Sequence, residues 1–350
     1  MTVRTYASPE AFKQAVEQRL RAMSNAGTDF GRRRQLLVFD RFLARVVAVL
    51  GDAVMLKGGL VVELRLERAR TTKDVDLRLT GSPEDVLRQL QEAARLDLGD
   101  FLVFEVGPDD EHPEINNEGM QYEGMRFRAV CRLAGKRYGN PFGVDVAFGD
   151  PILGPPEVII ADDILGFAGI APPTLRIYPI ETHVAEKLHA YTLPRKRPNS
   201  RVKDLPDIAL LAGVKALDSK LLRAALEQTF QFRKTHDLPA AFPAPLPSWE
   251  APYEAMARED QLLGARLPRS PRPRGPSCTQ SLQMQRIRHG IQEPGGGGLS
   301  VNPYERADRL PYRPRVGTYR RLGMATKFAD FTRRIKEEAH AKGPDAVAVA

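Results

Sequence analysis

The sequence predicts an α+β protein in three parts: a mixed-sheet domain with N-terminal helices in residues 1–155, a helical domain in 156–265 and a basic tail in 266–350. The stretch 55–79 supports the first part, because its pattern is typical of a strand, a glycine pair, a helix and a second strand. Apolar residues at helical spacing support the second part. The third part is marked by a change of composition, since Pro, Arg, Ser and Gly dominate residues 268–303.

The individual elements follow from apolar periodicity and from the residues that begin helices and form turns. Ser8 followed by Pro9 is typical of a helix start, and Thr182 is predicted to cap a later helix in the same way. The predicted helices are 9–23, 32–50, 60–67, 82–96, 183–193, 203–211 and 218–229. The predicted strands are 54–57, 72–79, 101–106, 126–133, 143–148 and 175–180.

The positive charge of the chain belongs to its tail. The net charge is +8, yet residues 266–350 hold 17 Lys and Arg against 7 Asp and Glu, a balance of +10, which leaves −2 for the rest. Charge alone therefore does not predict that the folded body binds nucleic acid. We expect the tail to be partly disordered and to add sequence-independent affinity for RNA. Alternatively, Phe328, Phe331 and Ile335 form one side of a short docking helix in 325–341.

Cysteine content and hydropathy narrow the class of protein. The two cysteines, Cys131 and Cys278, are far apart and have no neighbours with metal-ligand spacing, which argues against a disulfide scaffold and against a zinc site. No apolar run reaches the length that spans a membrane, and no N-terminal apolar segment resembles a signal peptide. We therefore expect a cytoplasmic protein without a membrane partner.

A pair of carboxylates follows a pair of glycines. Asp74 and Asp76 are two residues apart, so on a strand they share one face while Val75 points into a core. Gly58 and Gly59 leave backbone N–H groups exposed at the start of a helix, which suits a phosphate. Two carboxylates beside a phosphate require a divalent cation between them, as in phosphoryl or nucleotidyl transfer. The alternative is a βαβ-like unit with two surface acids.

These residues resemble the AbiEii/AbiGii toxin family of nucleotidyltransferases, a branch of the polymerase-β-like superfamily. The resemblance covers residues 35–263 and implies a mixed-sheet, polymerase-β-like nucleotidyltransferase domain followed by a helical domain. The residues that carry it are Gly58-Gly59, Arg70-x-Thr72-x-Asp74-x-Asp76, Lys187 and Lys203-Asp204-Leu205-x-Asp207.

The resemblance implies a role for each of these positions. Metal ligands for Mg²⁺, with Mn²⁺ as a substitute, would be Asp74, Asp76 and Asp145. Catalytic residues would be Asp74, Asp76, Lys187, Asp204 and Asp207. Nucleotide-binding residues would be Lys57, Gly58, Gly59, Arg70, Thr72 and Lys73.

Asp145 is the expected third carboxylate. It lies within the apolar strand 143–148, where a charge is costly unless it is paired or bound to metal. The superfamily takes a third carboxylate from a strand after the first two, and Asp145 fits that order. Two alternatives stay open: Asp150 is the ligand, or Asp145 faces solvent.

The second half contributes a lysine, two acids and a basic loop. Lys187 lies on a predicted helix and would meet the triphosphate as a point charge. Asp204 and Asp207 share one helix face, so either one orients Lys187 or acts as general base on the acceptor hydroxyl. The alternative is a helix start whose acids complement its dipole. RNA phosphate contacts are expected from Arg195, Lys196, Arg197, Arg201 and Lys203.

Together these expectations describe a nucleotidyltransferase that moves an NMP from an NTP to an acceptor. The resemblance implies a tRNA 3′ end as acceptor, a cognate antitoxin as partner, and a role in phage defence by abortive infection. Two alternatives remain. One is a phosphotransferase or protein-nucleotidylating enzyme on the same fold, and the other is a catalytically silent, antitoxin-like protein that binds nucleotide.

Overall fold

The structure of the protein is a computed structural model. It describes residues 5–24, 27–66, 71–109, 124–195, 200–214, 216–240, 242–243 and 245–259. The predicted tail, including its expected helix in 325–341, lies outside these residues.

In the described part of the chain, the first half contains four α-helices and most of the strands, and α-helices predominate in the second half. The α-helices are α1 (Pro9–Met23), α2 (Gly27–Leu50), α3 (Gly58–Arg65), α4 (Val86–Arg95), α5 (Ile180–Thr192), α6 (Asp204–Ala212), α7 (Ser219–Arg233) and α8 (Glu250–Glu259). The strands are β1 (Val54–Lys57), β2 (Asp74–Leu79), β3 (Leu102–Pro108), β4 (Gly124–Leu133), β5 (Lys136–Arg137), β6 (Phe142–Phe148), β7 (Glu157–Ile160) and β8 (Thr174–Ile177).

The described strands form one mixed sheet in the order β3-β4-β6-β2-β1-β8-β7, with β5 paired to β4. β2 runs parallel to β6 and antiparallel to β1, and β1 runs parallel to β8. The mixed sheet and the helices confirm the predicted fold class.

One face of the sheet supplies the main core. Val75 and Leu77 of β2 are fully buried there, together with Val144 and Val146 of β6. Helices α1, α2 and α4 cover this face and complete the apolar cluster. The other face of β2 carries Asp74, Asp76 and Arg78, because side chains alternate along a strand. We call this second face, which also carries Asp145, the acidic face.

Helices α5, α6, α7 and α8 form a second apolar cluster, here called the helical cluster. Val62 of α3 also belongs to it, so the helical cluster packs against the helix that follows β1. Strands β7 and β8 follow residue 155, yet they extend the sheet. Along this part of the chain, Ile177 belongs to the main core and Ile180 to the helical cluster.

Local signals give the start of α1 correctly and the start of α5 wrongly. Helix α1 spans the predicted residues, and the Ser8 side chain caps it. Thr182 was expected to cap a helix, but α5 begins two residues earlier, at Ile180. The Thr182 hydroxyl instead donates to the Leu153 carbonyl oxygen and accepts from the Leu153 N–H, both at 3.1 Å. A tertiary contact thus replaces the predicted cap.

Candidate active site

Three charged side chains lie side by side across the acidic face. The strand register places Lys57 of β1 opposite Asp76 of β2, and Asp76 beside Asp145 of β6. Asp74 lies on the same face as Asp76, as the spacing predicted, and is paired with Gly143 of β6. The two acids of the motif and the expected third acid are therefore close in space.

Two glycines make room for these carboxylates. Gly58 has φ +71°, and a Cβ atom there would overlap the Asp76 carboxylate. A Cβ atom on Gly143 would come 2.7 Å from Asp74 Oδ1, and the Gly143 N–H donates to that oxygen at 3.3 Å. Gly58 also begins helix α3, so the N-terminus of that helix lies against Asp76. Positive partial charge at a helix start favours the nearby carboxylate and would favour a phosphate.

Asp145 is held by an arginine that the sequence analysis did not single out. Arg126 of β4 donates to both carboxylate oxygens of Asp145, at 2.6 Å each. These hydrogen bonds raise the pKa of Arg126 above its usual value, and the charges of Asp74 and Asp109 raise it further. The pairing depends on the register of β4 against β6, which the sequence does not reveal.

Asp150, the alternative third ligand, lies in a different group of charges. It is fully buried and accepts from Lys57 Nζ and, at 3.5 Å, from Arg233 Nη2. Lys57 Nζ also lies 3.1 Å from Glu186 Oε2, and Arg233 Nη2 lies 3.5 Å from Glu186 Oε1. These four residues connect β1, the loop after β6, α5 and α7. They therefore join the sheet to the helical cluster directly beside the acidic face.

Lys187 makes a buried contact with both acids of the second motif. Its Nζ donates to Asp207 Oδ2 at 2.7 Å and to Asp204 Oδ1 at 3.4 Å. Lys187 is 8% exposed and Asp207 is fully buried. Asp204 and Asp207 lie in the first turn of α6, on one face as predicted, where Pro206 removes no helix hydrogen bond. Arg201 approaches Asp204 at 3.5 Å.

Burial and charges from separate elements of the chain shift the pKa of Asp76. Loss of hydration raises the pKa of Asp76 above its usual value, and the charge of Asp145 raises it further. Lys203, Lys57 and Lys187 lower it, in that order, without cancelling the effect. The tertiary structure thus places three lysines from separate elements close enough to compensate the acidic face.

Comparison with known proteins identifies the arrangement. Residues 41–271, about two thirds of the chain, match the family model described as nucleotidyl transferase AbiEii toxin, type IV toxin–antitoxin system. The chain belongs to this family. It is accordingly a nucleotidyltransferase, and its family is one of toxins of type IV toxin–antitoxin systems. No curated protein matches the sequence.

Solved structures with a similar fold include two bacterial proteins. MenT4, a nucleotidyltransferase toxin from Mycobacterium tuberculosis H37Rv, is 17% identical with a TM-score of 0.44, over 61% of this chain and 68% of that one. JHP933 from Helicobacter pylori is 16% identical with a TM-score of 0.35, over 57% of this chain and 80% of that one.

The remaining residues that were expected to bind nucleotide or RNA lie in several different environments. The Thr72 N–H donates to Glu63 Oε2 at 3.0 Å, and Glu63 Oε1 accepts from Arg32 at 2.7 Å. This contact fixes the turn before β2. Lys73 is exposed beside it. Of the expected RNA contacts, Lys203 lies near Asp76, and Arg195 and Arg201 are half-buried. Arg70, Lys196 and Arg197 lie outside the described residues.

Three residues of this site were not identified from the sequence: Arg126, Glu186 and Arg233. Each is an ordinary charged residue within a strand or helix, and only its tertiary partner distinguishes it. Within the described part of the chain, no three His, Cys, Asp or Glu side chains converge as a ready-made metal site. No helix there is long and apolar enough to cross a membrane.

Gly58→Ala is expected to abolish nucleotidyl transfer by this enzyme and to lower its thermal midpoint. The added methyl group would overlap the Asp76 carboxylate, and φ +71° is strained for an L-residue. Gly51→Ala is the matched control, since Gly51 has φ +52° but nothing within 4 Å of the position that its methyl group would take. The control should lose about 1–2 kcal/mol through backbone strain alone and remain active. Equal losses of stability with full activity in both variants would contradict this interpretation.

Proposed function

We propose that this enzyme transfers a nucleoside monophosphate from an NTP to the 3′-terminal hydroxyl group of a tRNA in a reaction that depends on Mg²⁺. The acceptor oxygen bonds to the α-phosphorus, the bond between the α- and β-phosphates breaks, and pyrophosphate leaves. One observation carries the proposal: Asp76 of the acidic face lies against the start of helix α3, and the charge of Lys187 in the helical cluster acts on the same carboxylate. Carboxylates, backbone N–H groups and lysines are the groups that bind the metal and phosphates of a bound NTP.

The residues present fit a divalent cation. Asp74 and Asp76 share a face and offer the carboxylate oxygens that Mg²⁺ prefers, and glycine at 58 and 143 lets both carboxylates lie where a Cβ atom would clash with them. Burial and the charge of Asp145 raise the pKa of Asp76, and a bound cation would favour its ionised form. Asp74 and Asp76 would hold the ion, and Asp145 would join them after release from Arg126. When bound, the ion would stabilise the negative charge that develops on the phosphates.

Lys187 would supply positive charge to the phosphates from the side of the helical cluster. Asp204 and Asp207 restrict its position, because both accept hydrogen bonds from its Nζ. We assign both acids to orienting Lys187. The same contacts leave the general base on the acceptor hydroxyl unassigned.

The remaining expected residues would bind the nucleotide around this centre. Gly58 and Gly59 would donate backbone N–H groups to phosphate, because they form the first turn of α3, where N–H groups have no partner within the helix. Lys57 would act with them, although its Nζ already contacts Asp150 and Glu186. Thr72 and Lys73 precede the acids in the turn that Glu63 holds, so they would position the nucleotide, together with Arg70.

The acceptor and the partner of the enzyme are proposed from its family. A tRNA would lie near five basic residues: Arg195, Lys196, Arg197, Arg201 and Lys203. The charge of Lys203 lowers the pKa of Asp76, which places this residue close to the acidic face. A cognate antitoxin is the expected protein partner of a toxin of this type.

Incubation with labelled NTPs tests this function. Purified enzyme is mixed with total tRNA and each NTP, labelled either at the α- or at the γ-phosphate, with Mg²⁺, with Mn²⁺ or with EDTA. We expect label from the α-position to appear in RNA and to be removed by ribonuclease, and EDTA to prevent it. The thermal midpoint should also rise with Mg²⁺, and more with NTP, because ligands stabilise the folded state that binds them.

Each alternative predicts a different pattern of label. Label from the γ-position would indicate a phosphotransferase, and label that resists ribonuclease but is removed by protease would indicate protein nucleotidylation. No label, with a thermal shift by NTP, would indicate a silent nucleotide-binding protein. Any of these three results would overturn the proposed function.

A further inference from the structure

A row of arginines leads away from the acidic face along β4. Arg126, Arg128 and Arg132 alternate with the buried side chains of that strand, so all three stand on the same side of the sheet as Asp145. Arg137 of β5 is paired with Arg132 and shares this side. We call these four residues the arginine row. Neighbouring positions on one side of a strand are about 7 Å apart, so Arg126 and Arg132 are separated by about 20 Å.

The outer part of the arginine row is exposed and strongly positive. Arg128, Arg132 and Arg137 are all exposed. Among the described residues of β3, β4 and β5, Glu105 is the acid that faces them, and it pairs with Arg132 at 2.8 Å. Helices α1, α2 and α4 cover the opposite side of the sheet, where Phe127 and Cys131 are buried. Positive charge thus remains available to a ligand on the open side.

The inner end of the arginine row has the opposite character. Arg126 pairs with Asp145, and Asp74 and Asp109 act on it as well. A polyanion would therefore be repelled at the site of reaction and attracted along β4 and β5. Such a gradient suits an acceptor whose reactive end must reach the acids while the rest of the chain is held at a distance.

We propose that the arginine row binds the phosphate backbone of the single-stranded 3′ end of the acceptor RNA, and this rests on the proposed function. The terminal hydroxyl would lie at the acidic face, and the preceding nucleotides would follow β4 towards β5. Several positive charges on one side of an extended strand, with Val130 between Arg128 and Arg132, match a polymer that carries one phosphate in every unit. Among the described residues, the exposed side chains of this surface include Val103 but no aromatic residue, which favours contact with the backbone over stacking of bases.

The variant Arg128→Gln/Arg137→Gln tests this surface, with Arg88→Gln/Arg95→Gln as control. The control removes two exposed positive charges from α4, on the opposite side of the sheet. Binding is measured by fluorescence anisotropy over a range of salt concentrations. The probes are an RNA hairpin with a four-nucleotide single-stranded 3′ overhang and the same hairpin with a blunt end. Transfer is measured in parallel with α-labelled NTP.

Loss of two phosphate contacts should reduce the slope of log affinity against log salt by about 1.4 for the overhang probe. At low salt its affinity should fall by at least about tenfold, with KM for RNA raised and kcat unchanged. The control should behave as the parent does. If both variants bind the overhang probe equally well, and the parent transfers nucleotide to RNA, the proposed role of the arginine row is wrong and the proposed function stands. Equal losses for the blunt hairpin would also overturn it. A parent that binds no RNA would overturn both proposals.

Discussion

Asp76→Asn is expected to abolish transfer and at the same time to raise the thermal midpoint at neutral pH. If Asp76 holds the divalent ion, its loss removes several kcal/mol of transition-state stabilisation, which corresponds to at least about a thousandfold in rate. Stability should change in the opposite direction, because burial and the charge of Asp145 disfavour the ionised carboxylate. An amide of the same shape avoids both costs.

The gain in stability should depend on pH in a defined direction. Since folding raises the pKa of Asp76, ionisation costs stability above the pKa of the unfolded chain, about 3.9. The two proteins should therefore converge in thermal midpoint as the pH falls towards that value and diverge as it rises. Thermal unfolding from pH 4 to 8 in the absence of metal measures this difference.

Asp237→Asn provides the control, because it removes one exposed carboxylate after α7. It should leave transfer unchanged and show no comparable gain of stability. Retained transfer in Asp76→Asn would exclude the proposed mechanism. A lower thermal midpoint of Asp76→Asn at neutral pH would contradict the charge argument separately.

Lys187→Met is expected to lose transfer and to destabilise the fold by about 3–5 kcal/mol, since it leaves buried carboxylates without their cation. From the sequence alone, Lys187 is a helix lysine whose replacement leaves the fold intact. Its burial and its contacts with Asp204 and Asp207 reverse that expectation. Urea unfolding monitored by circular dichroism measures the loss, and the m-value shows whether the folded state is still compact.

A second substitution separates stability from activity. Lys187→Met/Asp207→Asn removes the charge on both partners of the closest contact and should regain part of the lost stability without regaining transfer. Lys220→Met, at an exposed position of α7, is the control and should change stability by no more than about 0.5 kcal/mol. Transfer at the parent rate by Lys187→Met would show that the lysine only stabilises the fold.

The sequence by itself determined the features that depend on neighbouring residues. Alternation along β2 put Asp74 and Asp76 on one face and Val75 on the other, because successive side chains of a strand point in opposite directions. Ser8 and Pro9 defined the start of α1, because a side-chain cap and a fixed φ act within one turn. The glycine pair and the family motif were likewise recognisable, and the family match confirms the class of enzyme.

Only the tertiary structure decided which charges meet. Arg126 reaches Asp145 because β4 and β6 pair in one register, and a shift by a single residue would turn Arg126 to the other face. Lys187 contacts Asp204 and Asp207 of α6, which lie 17 and 20 residues later in the chain. Lys57 contacts Glu186, which lies 129 residues later. Burial makes these contacts important for stability, because a charge removed from water is costly unless the fold supplies an oppositely charged partner.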